Sequence, residues 1–437
     1  MPGALLTDLY ELNMAASYLR RGITGDATFS LYVRTLPPTR GFLVAAGLEA
    51  CLDFLESLRF DDDELRWLGD VAGYDDTTLD AFAALRFTGD VWAVPEGRVI
   101  FAGEPLLEVT APLPEAQLVE TLLLNQITTQ TMLASKAARC RLAAHGTTIV
   151  DFAFRRTHGV DAAMACARAG AMVGFDATSN VEGARRWSLP AAGTMAHSYI
   201  EAFPTELDAF RAFAEDFPDR STFLVDTYDT LTGVRRAIEV IREAGLSDRA
   251  AIRLDSGDLG ALAVATRSIL DDAGLRRVRI FASGGLDELA IDDLPSGGAP
   301  IDAFGVGTLA GVSADAPFLD TVYKLVSYGG RPVLKRSTEK ETLPGAKQVF
   351  RSPDASGDLV ARREEDPPSG WQPLLQPVMA SGTPLDHDAG LENARARFER
   401  DVATLPESAR RLRDPRPPPV RVSPALQRLT NEVRGSL

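Results

Sequence analysis

The stretch TTIVDFAFRRTHGVDAAMACARAGAMVGFDATSN, residues 147–180, decides how the chain is read. It opens on a short β-leaning run, TTIVDFAF, and passes a pair of arginines. It then becomes a helical run, GVDAAMACARAG, and ends on a second β-leaning run, AMVGFDA. Strand, helix and strand within about thirty residues make one βαβ unit, which brings parallel strands together. The alternation continues downstream. AAGTMA, STFLVDT, AAIRLDS, VRIFAS and IDAFGVG are further β-leaning segments, most of them separated by helical runs such as TLTGVRRAIEVIREAG and LGALAVATRSILDDAG. Seven such strands with no long detour between them predict a closed or nearly closed parallel barrel, with a doubly wound open sheet as the alternative.

In a parallel α/β barrel the active site lies where strands end and helices begin. The first strand here ends in DFAFRRTHG, with Arg155 and Arg156, and the second in FDATSN, with Asp176, Thr178 and Ser179. The others end in GTMAHS, VDTYDT, RLDSGD, ASGG and GVGT. Taken singly, each has a plain explanation. Asp-Ser-Gly-Asp reads as a helix N-cap with a turn glycine, ASGG as a turn, and Arg155-Arg156 as a solvated pair. Seven polar strand ends above apolar strand bodies are harder to dismiss. Arginines and glycine loops that open onto helix N-termini suit phosphate oxygens. Carboxylates such as Asp255 and Asp258 suit sugar hydroxyls or hydrated Mg²⁺. Together they point to a phosphorylated sugar, without the GxxxxGK[ST] loop or a strand-borne GxGxxG. His197, one of only four histidines, sits at a strand-to-helix junction near Thr194 and Ser198. It reads either as a packed or capping histidine or as a nucleophile toward a phosphoryl group.

Outside this region the pattern is mixed. LLTDLYELNMAASYLRRG predicts an opening helix, ATFSLYVRTLP a strand, GFLVAAGLEACLDFLESL a helix, and residues 90–112 two or three strands. Residues 114–145 contain no glycine or proline after Pro114 until the stretch closes, and predict one long helix or two abutting ones. KLVSYGGRPVLKRS reads as a hairpin that ETLPGAKQVFR continues, and DPRPPPVRVSP as a stiff connector between two short helical stretches. The balance of 46 basic and 61 acidic residues gives 46 − 61 = −15, which argues against nucleic acid or an anionic membrane as partner. Any phosphate site must therefore be built locally. Three scattered cysteines, no long apolar run and an N-terminus without a basic n-region lead to the expectation of a cytoplasmic protein.

The blocks TDLYELNMA, FSLYVRTLP, RGFLVAAGLE, EAQLVETLLLNQI, DFAFRRTHGVDAA, GFDATSNVEG, GTMAHS, LVDTYDT, RLDSGDL, DAFGVGT and LPGAKQVFR, in that order, resemble the nicotinate phosphoribosyltransferase family of the type II phosphoribosyltransferase superfamily. The resemblance covers residues 5 to about 351, and the tail after Ser352 carries no motif matched to it. It implies an α/β fold: an irregular TIM-like parallel barrel beside a mixed α+β N-terminal domain that the C-terminal segment rejoins. The expected boundaries are 1–145, 146–325 and 326–437. The implied reaction joins nicotinate to 5-phosphoribosyl 1-pyrophosphate, giving nicotinate mononucleotide and pyrophosphate, with ATP hydrolysis coupled through a phosphorylated histidine at His197.

The resemblance also assigns residues. Thr194 and Arg253 match contacts to nicotinate, Phe152 an aromatic stacked on its ring, and Tyr10 a tyrosine supplied by the neighbouring subunit of a homodimer. Arg155 matches a holder of the sugar substrate's phosphates and Asp255 a ligand of its ribose hydroxyls. Gly284, Gly285, Gly307 and Thr308 match loops around the 5-phosphate, while Lys324 and Lys347 are weaker suggestions for the triphosphate. His197, Asp255 and Arg253 form the implied catalytic set. Mg²⁺ is expected on the pyrophosphate and on ATP, with its protein ligands unassigned. Ser179 stands where nicotinamide-using relatives carry a carboxylate, which would repel an acidic ring substituent. A nicotinamide enzyme is disfavoured by Ser179, and a quinolinate enzyme by the histidine of GTMAHS. An inactive ligand-sensing barrel is disfavoured by intact His197, Arg155, Arg253 and Asp255. A phosphosugar isomerase or aldolase would want a lysine or glutamate at one of the seven strand ends, and none supplies it.

Overall fold

Residues 147–180 fold as strand, helix and strand, with a helix, Val160–Met172, between β1 (Thr148–Asp151) and β2 (Ala177–Thr178); the helix takes in Ala171 and Met172 of the expected second strand AMVGFDA, which leaves β2 two residues long. The structure, a computed structural model, describes residues 3–336 and 341–436. It contains two units: one runs from Lys136 to Pro317, and the other joins the residues up to Ser135 with those from Phe318 onward. The divisions fall inside the helix Glu120–Ala143 and just before Thr321–Tyr328, where the sequence reading set them at 145 and 325. Among the described residues no helix is long and apolar enough to cross a membrane.

The unit from Lys136 to Pro317 carries the parallel sheet. After β1 and β2 come β3 (Thr222–Leu224), β4 (Ala251–Leu254), β5 (Arg279–Ala282) and β6 (Ala303–Val306). Their spatial order is β2-β1-β6-β5-β4-β3, every neighbouring pair parallel. Helices Thr230–Glu243, Leu259–Asp272 and Glu288–Ser296 connect successive strands from β3 to β6. Strands β4 and β6 are buried along their whole length, as expected of a parallel sheet covered on both faces.

One of the seven expected strands is missing. AAGTMA makes a single parallel bridge, Ala191 to Thr178, with the Ala192 N–H donating to the Thr178 carbonyl at 3.0 Å. Apart from Met195 its residues are small, and none is a β-branched apolar side chain to pack on a pleated surface; Pro190 before it has no N–H to give a ladder. The segment instead sends Met195 into the core built by Phe223, Leu224, Ile252 and Leu254. The result is an irregular parallel half-barrel whose sheet ends at β2 and β3.

Three helices of this unit start on an aspartate. Asp229 accepts from the Thr232 N–H, Asp258 from Ala261, and Asp287 from Leu289 and Ala290. These caps satisfy backbone donors that the first helical turn leaves unpaired. Helix Thr230–Glu243 approaches β3 through Gly233, where a Cβ would sit 2.3 Å from the Val225 carbonyl oxygen.

The other unit is built on an antiparallel sheet in the order Arg331–Pro332, Thr321–Tyr328, Asp26–Val33, Pro105–Pro112, Asp90–Ala93, Gln376–Ala380, Thr383–Pro384. The C-terminal segment therefore does rejoin the N-terminal one, and Phe29 stacks on Tyr323 at 4.7 Å between centroids. Three local expectations need correction. The helix of GFLVAAGLEACLDFLESL begins only at Leu48, because Leu43–Val44 pair with Val99–Ile100 and Gly47 turns with φ 98°. ETLPGAKQVFR does not extend the hairpin. Its strand Lys347–Arg351 follows a turn at Gly345 (φ 79°) and pairs with Asp358–Arg362 in a separate four-stranded sheet. The connector DPRPPPVRVSP contains a short strand of that sheet, Val420–Val422. The last residue of KLVSYGGRPVLKRS, Ser337, lies outside the described residues.

Gly233→Ala gains about 1 kcal/mol of helix propensity, but the overlap with β3 costs about 1–3 kcal/mol as overpacking. A lower urea midpoint, followed by circular dichroism, is the expected result.

Candidate active site

The C-terminal ends of β1, β2, β3 and β4, with the segment Gly193–His197, surround a cavity of about 540 Å³. Phe152, Arg155, Ser179, Thr194, His197, Arg253 and Asp255 all line it, and so do Phe154, Met195 and Leu224. Its volume is in the range of small-molecule sites, roughly 300–1,000 Å³.

Arg253 is the centre of the arrangement. It lies on β4 opposite Phe281 of β5 and Leu224 of β3, and is 9 % exposed. Its Nε–H donates to Ser283 Oγ at 2.8 Å, Nη1 to Thr194 Oγ1 at 2.7 Å and to the Met195 carbonyl at 3.4 Å, and Nη2 to Asp255 Oδ1 at 2.8 Å. The guanidinium also lies over the Phe152 ring, 5.4 Å from its centroid. A guanidinium has five N–H groups, so these four bonds leave one N–H and the cation's plane for the cavity. The arrangement suits a planar aromatic acid. Phe152 is held against Phe281 at 5.6 Å and occupies space that Gly305 vacates, since a Cβ there would meet the ring at 2.8 Å.

Asp255 joins this group to the histidine. Ser283 Oγ donates to its Oδ1 at 2.6 Å, and its Oδ2 lies 3.9 Å from His197 Nε2. The other ring nitrogen, Nδ1, is 3.1 Å from Thr227 Oγ1. The imidazole is thus fixed from β3 and faces a carboxylate from β4, with 42 % of its side-chain surface still exposed. Gly284 (φ 91°) and Gly285 (φ 66°) follow β5. A Cβ on Gly284 would stand 1.9 Å from the Asp255 carbonyl oxygen, so only glycine lets this loop pass so close to β4. Gly307 caps, and Thr308 begins, the short helix Thr308–Gly311 after β6.

Ser179 is placed through buried Asp151. The Ser179 N–H donates to the Asp151 carbonyl at 2.8 Å, while the Asp151 carboxylate accepts from Thr178 Oγ1 at 2.7 Å and from the Ala153 N–H at 2.8 Å. Burial raises the Asp151 pKa above the usual carboxylate range despite these bonds.

Other expected residues stand elsewhere. Asp258 caps helix Leu259–Asp272, its Oδ1 accepting from the Ala261 N–H. Tyr10 is half exposed on helix Leu9–Arg20 of the other unit, and burial beside Glu120 and Glu11 raises its pKa. Lys347 is buried there, 3.1 Å from Glu108 and bonded to the carbonyls of Leu343 and Gly345. Lys324 donates to the Tyr323 carbonyl and lies 3.9 Å from Glu120. The sequence reading missed Ser283 and Thr227. Both sit in strand-end motifs, and a hydroxyl one residue past β5 and three past β3 was the available signal.

Among the described residues no group of three or more His, Cys, Asp or Glu is arranged to hold a metal. Mg²⁺ typically uses only one or two carboxylates, with water and substrate phosphates completing its shell. Asp226 and Asp255 end β3 and β4. Asp226 Oδ1 is buried with no hydrogen-bond partner among the described residues, while Oδ2 accepts from Ser256. An orphaned carboxylate oxygen of this kind suits Mg²⁺ whose shell is completed by water and substrate phosphates.

Comparison with known proteins identifies the family. Three family models match in sequence order: the nicotinate phosphoribosyltransferase N-terminal domain over residues 5–128, the nicotinate phosphoribosyltransferase family over 147–341, and the nicotinate phosphoribosyltransferase C-terminal domain over 362–430. The chain belongs to the nicotinate phosphoribosyltransferase family, and its activity is the one that name describes. It is 48 % identical over 417 residues to nicotinate phosphoribosyltransferase pncB2 of Mycobacterium tuberculosis, covering 94 % of this chain and 89 % of that one. It is 43 % identical over 378 residues to the Bacillus subtilis nicotinate phosphoribosyltransferase, covering 83 % and 76 %. The crystal structure of the human nicotinic acid phosphoribosyltransferase superposes with a TM-score of 0.86 at 29 % identity, covering 98 % and 99 %. The C-terminal match corrects the sequence reading, which found no family motif after Ser352.

Ser283→Ala removes hydrogen bonds to both Arg253 and Asp255. Bonds to charged groups are worth about 1.5–3 kcal/mol, so kcat/KM is expected to fall roughly 10- to 100-fold with the fold retained by circular dichroism.

Proposed function

We propose that this enzyme joins nicotinate to 5-phosphoribosyl 1-pyrophosphate at the half-barrel mouth and couples the reaction to ATP through phosphorylation of His197. The observation that carries the reading is the Arg253 cluster, with an aromatic ring, a hydroxyl and a carboxylate all fixed on one guanidinium. In this reading the nicotinate ring lies between Phe152 and Tyr10 of a neighbouring copy in a homodimer. Its carboxylate is met by Arg253 and Thr194. Asp255 receives the ribose hydroxyls, Arg155 the phosphates, and the loops at Gly284-Gly285 and Gly307-Thr308 the 5-phosphate through backbone N–H groups.

The pyridine nitrogen supplies its own lone pair, so no general base is needed. The C1–O bond to pyrophosphate breaks as the C1–N bond forms, through a ribosyl cation that the Asp255 carboxylate stabilises. Asp226 and Asp255 would hold Mg²⁺, which supplies charge neutralisation at the departing pyrophosphate and at ATP. His197 attacks the γ-phosphorus of ATP and releases ADP, and water later returns the phosphoryl group as inorganic phosphate. The fixed imidazole, with Thr227 on one nitrogen and Asp255 facing the other, supports this role. The acidic composition and scattered cysteines support a cytoplasmic setting.

Ser179 supports nicotinate over nicotinamide, because a carboxylate in its place would oppose the acid. The test is mononucleotide formation from each base, with and without ATP. Wild type should use nicotinate and be stimulated by ATP, and His197→Ala should keep slow transfer without stimulation. Ser179→Asp should lose roughly 100-fold or more in kcat/KM for nicotinate, as expected for an added like charge. ATP stimulation that survives in His197→Ala would rule out the phosphohistidine, and no mononucleotide from either base in wild type would overturn the reaction.

A further inference from the structure

A buried ion cluster lies in the same unit, outside the cavity. Lys136 and Arg139 stand one turn apart on helix Glu120–Ala143. Lys136 is 1 % exposed and contacts two carboxylates: Glu288 directly, and Asp315 at 2.9 Å. Arg139 Nε donates to Glu288 at 2.8 Å, and burial of Glu288 is outweighed by these two cations, which hold its pKa below the usual value.

The two carboxylates belong to different glycine loops. Glu288 is the first residue of helix Glu288–Ser296, immediately after Gly284, Gly285 and the capping Asp287. Asp315 lies in the turn after the short helix Thr308–Gly311, which Gly307 caps. That turn is bonded from Val312 N–H to the Thr308 carbonyl at 3.1 Å and from Ala314 N–H to Leu309 at 3.0 Å, and it passes Ser313 at φ 46°. A buried ammonium is a poor choice for stability alone, since well-packed apolar side chains of similar volume often serve as well or better. What it does supply is one fixed point between two anions.

We propose that Lys136 is a positioning residue that clamps the two glycine loops at one spacing, so that both present their N–H groups to the same phosphate. The phosphate assignment rests on the function proposed above, but the clamp does not. Asp315, 16 % exposed, is the gentler site to change, because Glu288 keeps both of its cations. Asp315→Asn should raise the KM for 5-phosphoribosyl 1-pyrophosphate about tenfold, in line with small misplacements of positioning groups. The KM for nicotinate should stay within about twofold. Asp315→Glu should recover most of the loss.

Hydrogen exchange in the absence of substrate reads the clamp independently. Residues 284–289 and 307–314 should exchange faster in Asp315→Asn, and more so in Lys136→Met. Unchanged exchange in both loops overturns the clamp. Faster exchange with an unchanged phosphoribosyl KM overturns its role in positioning this substrate. A wild type whose turnover does not depend on phosphoribosyl pyrophosphate defeats the functional reading alone, and the exchange data still decide the clamp.

Discussion

A guanidinium buried at the end of a parallel strand constrains everything around it. Taking Arg253 out of water is affordable only if its N–H groups are met, and the partners come from three different parts of the chain: Thr194 and Met195, Asp255, and Ser283. The bonds to Thr194, Met195 and Ser283 tie the bridged segment and the end of β5 to β4, and the bond to Asp255 orders the end of β4 itself. Asp255 then carries the order on to His197, and His197 to Thr227 at the end of β3. The site is therefore one connected polar network laid over an apolar sheet. Disturbing any member moves several others.

The same network explains how an acidic protein can recognise anionic substrates. The net charge of −15 offers no long-range attraction, so recognition must come from short-range geometry. Arg253 is largely neutralised by Asp255, which leaves direction more than net charge: an N–H and a planar face for a carboxylic acid. In the proposed reading the phosphate side relies in turn on glycine backbone, and the Gly284 loop passes too close to the end of β4 for any Cβ.

Much of this was legible in the sequence. Alternating strand and helix patterns gave the parallel sheet; strand-end motifs together with the family resemblance named Phe152, Arg155, Ser179, Thr194, His197, Arg253 and Asp255, and all of them line one cavity. Three things were not legible, each for a physical reason. AAGTMA has the position of a strand but no side chains to hold it in a ladder, so it became a bridged loop. Strand-end aspartates cap helices as readily as they bind ligands, so Asp258 and Asp255 look alike until their hydrogen bonds are seen. Lys136 lies in a helix whose pattern announces only amphipathic burial, and its partners are 152 and 179 residues away in sequence. Pairings at such a distance leave no local signal. The tail failed differently: its strands enter sheets begun elsewhere in the chain, so no self-contained pattern marks them.

The central claim is that the Arg253 cluster receives the carboxylate of nicotinate. Calorimetric titration of nicotinate and nicotinamide into wild type and Arg253→Met, with folding checked by circular dichroism, tests it most directly. Wild type should bind nicotinate more tightly than nicotinamide, and Arg253→Met should lose most of that difference, roughly 10- to 100-fold for a charge-assisted hydrogen bond. A folded Arg253→Met that still binds nicotinate as tightly as wild type, with the same preference over nicotinamide, would contradict the account.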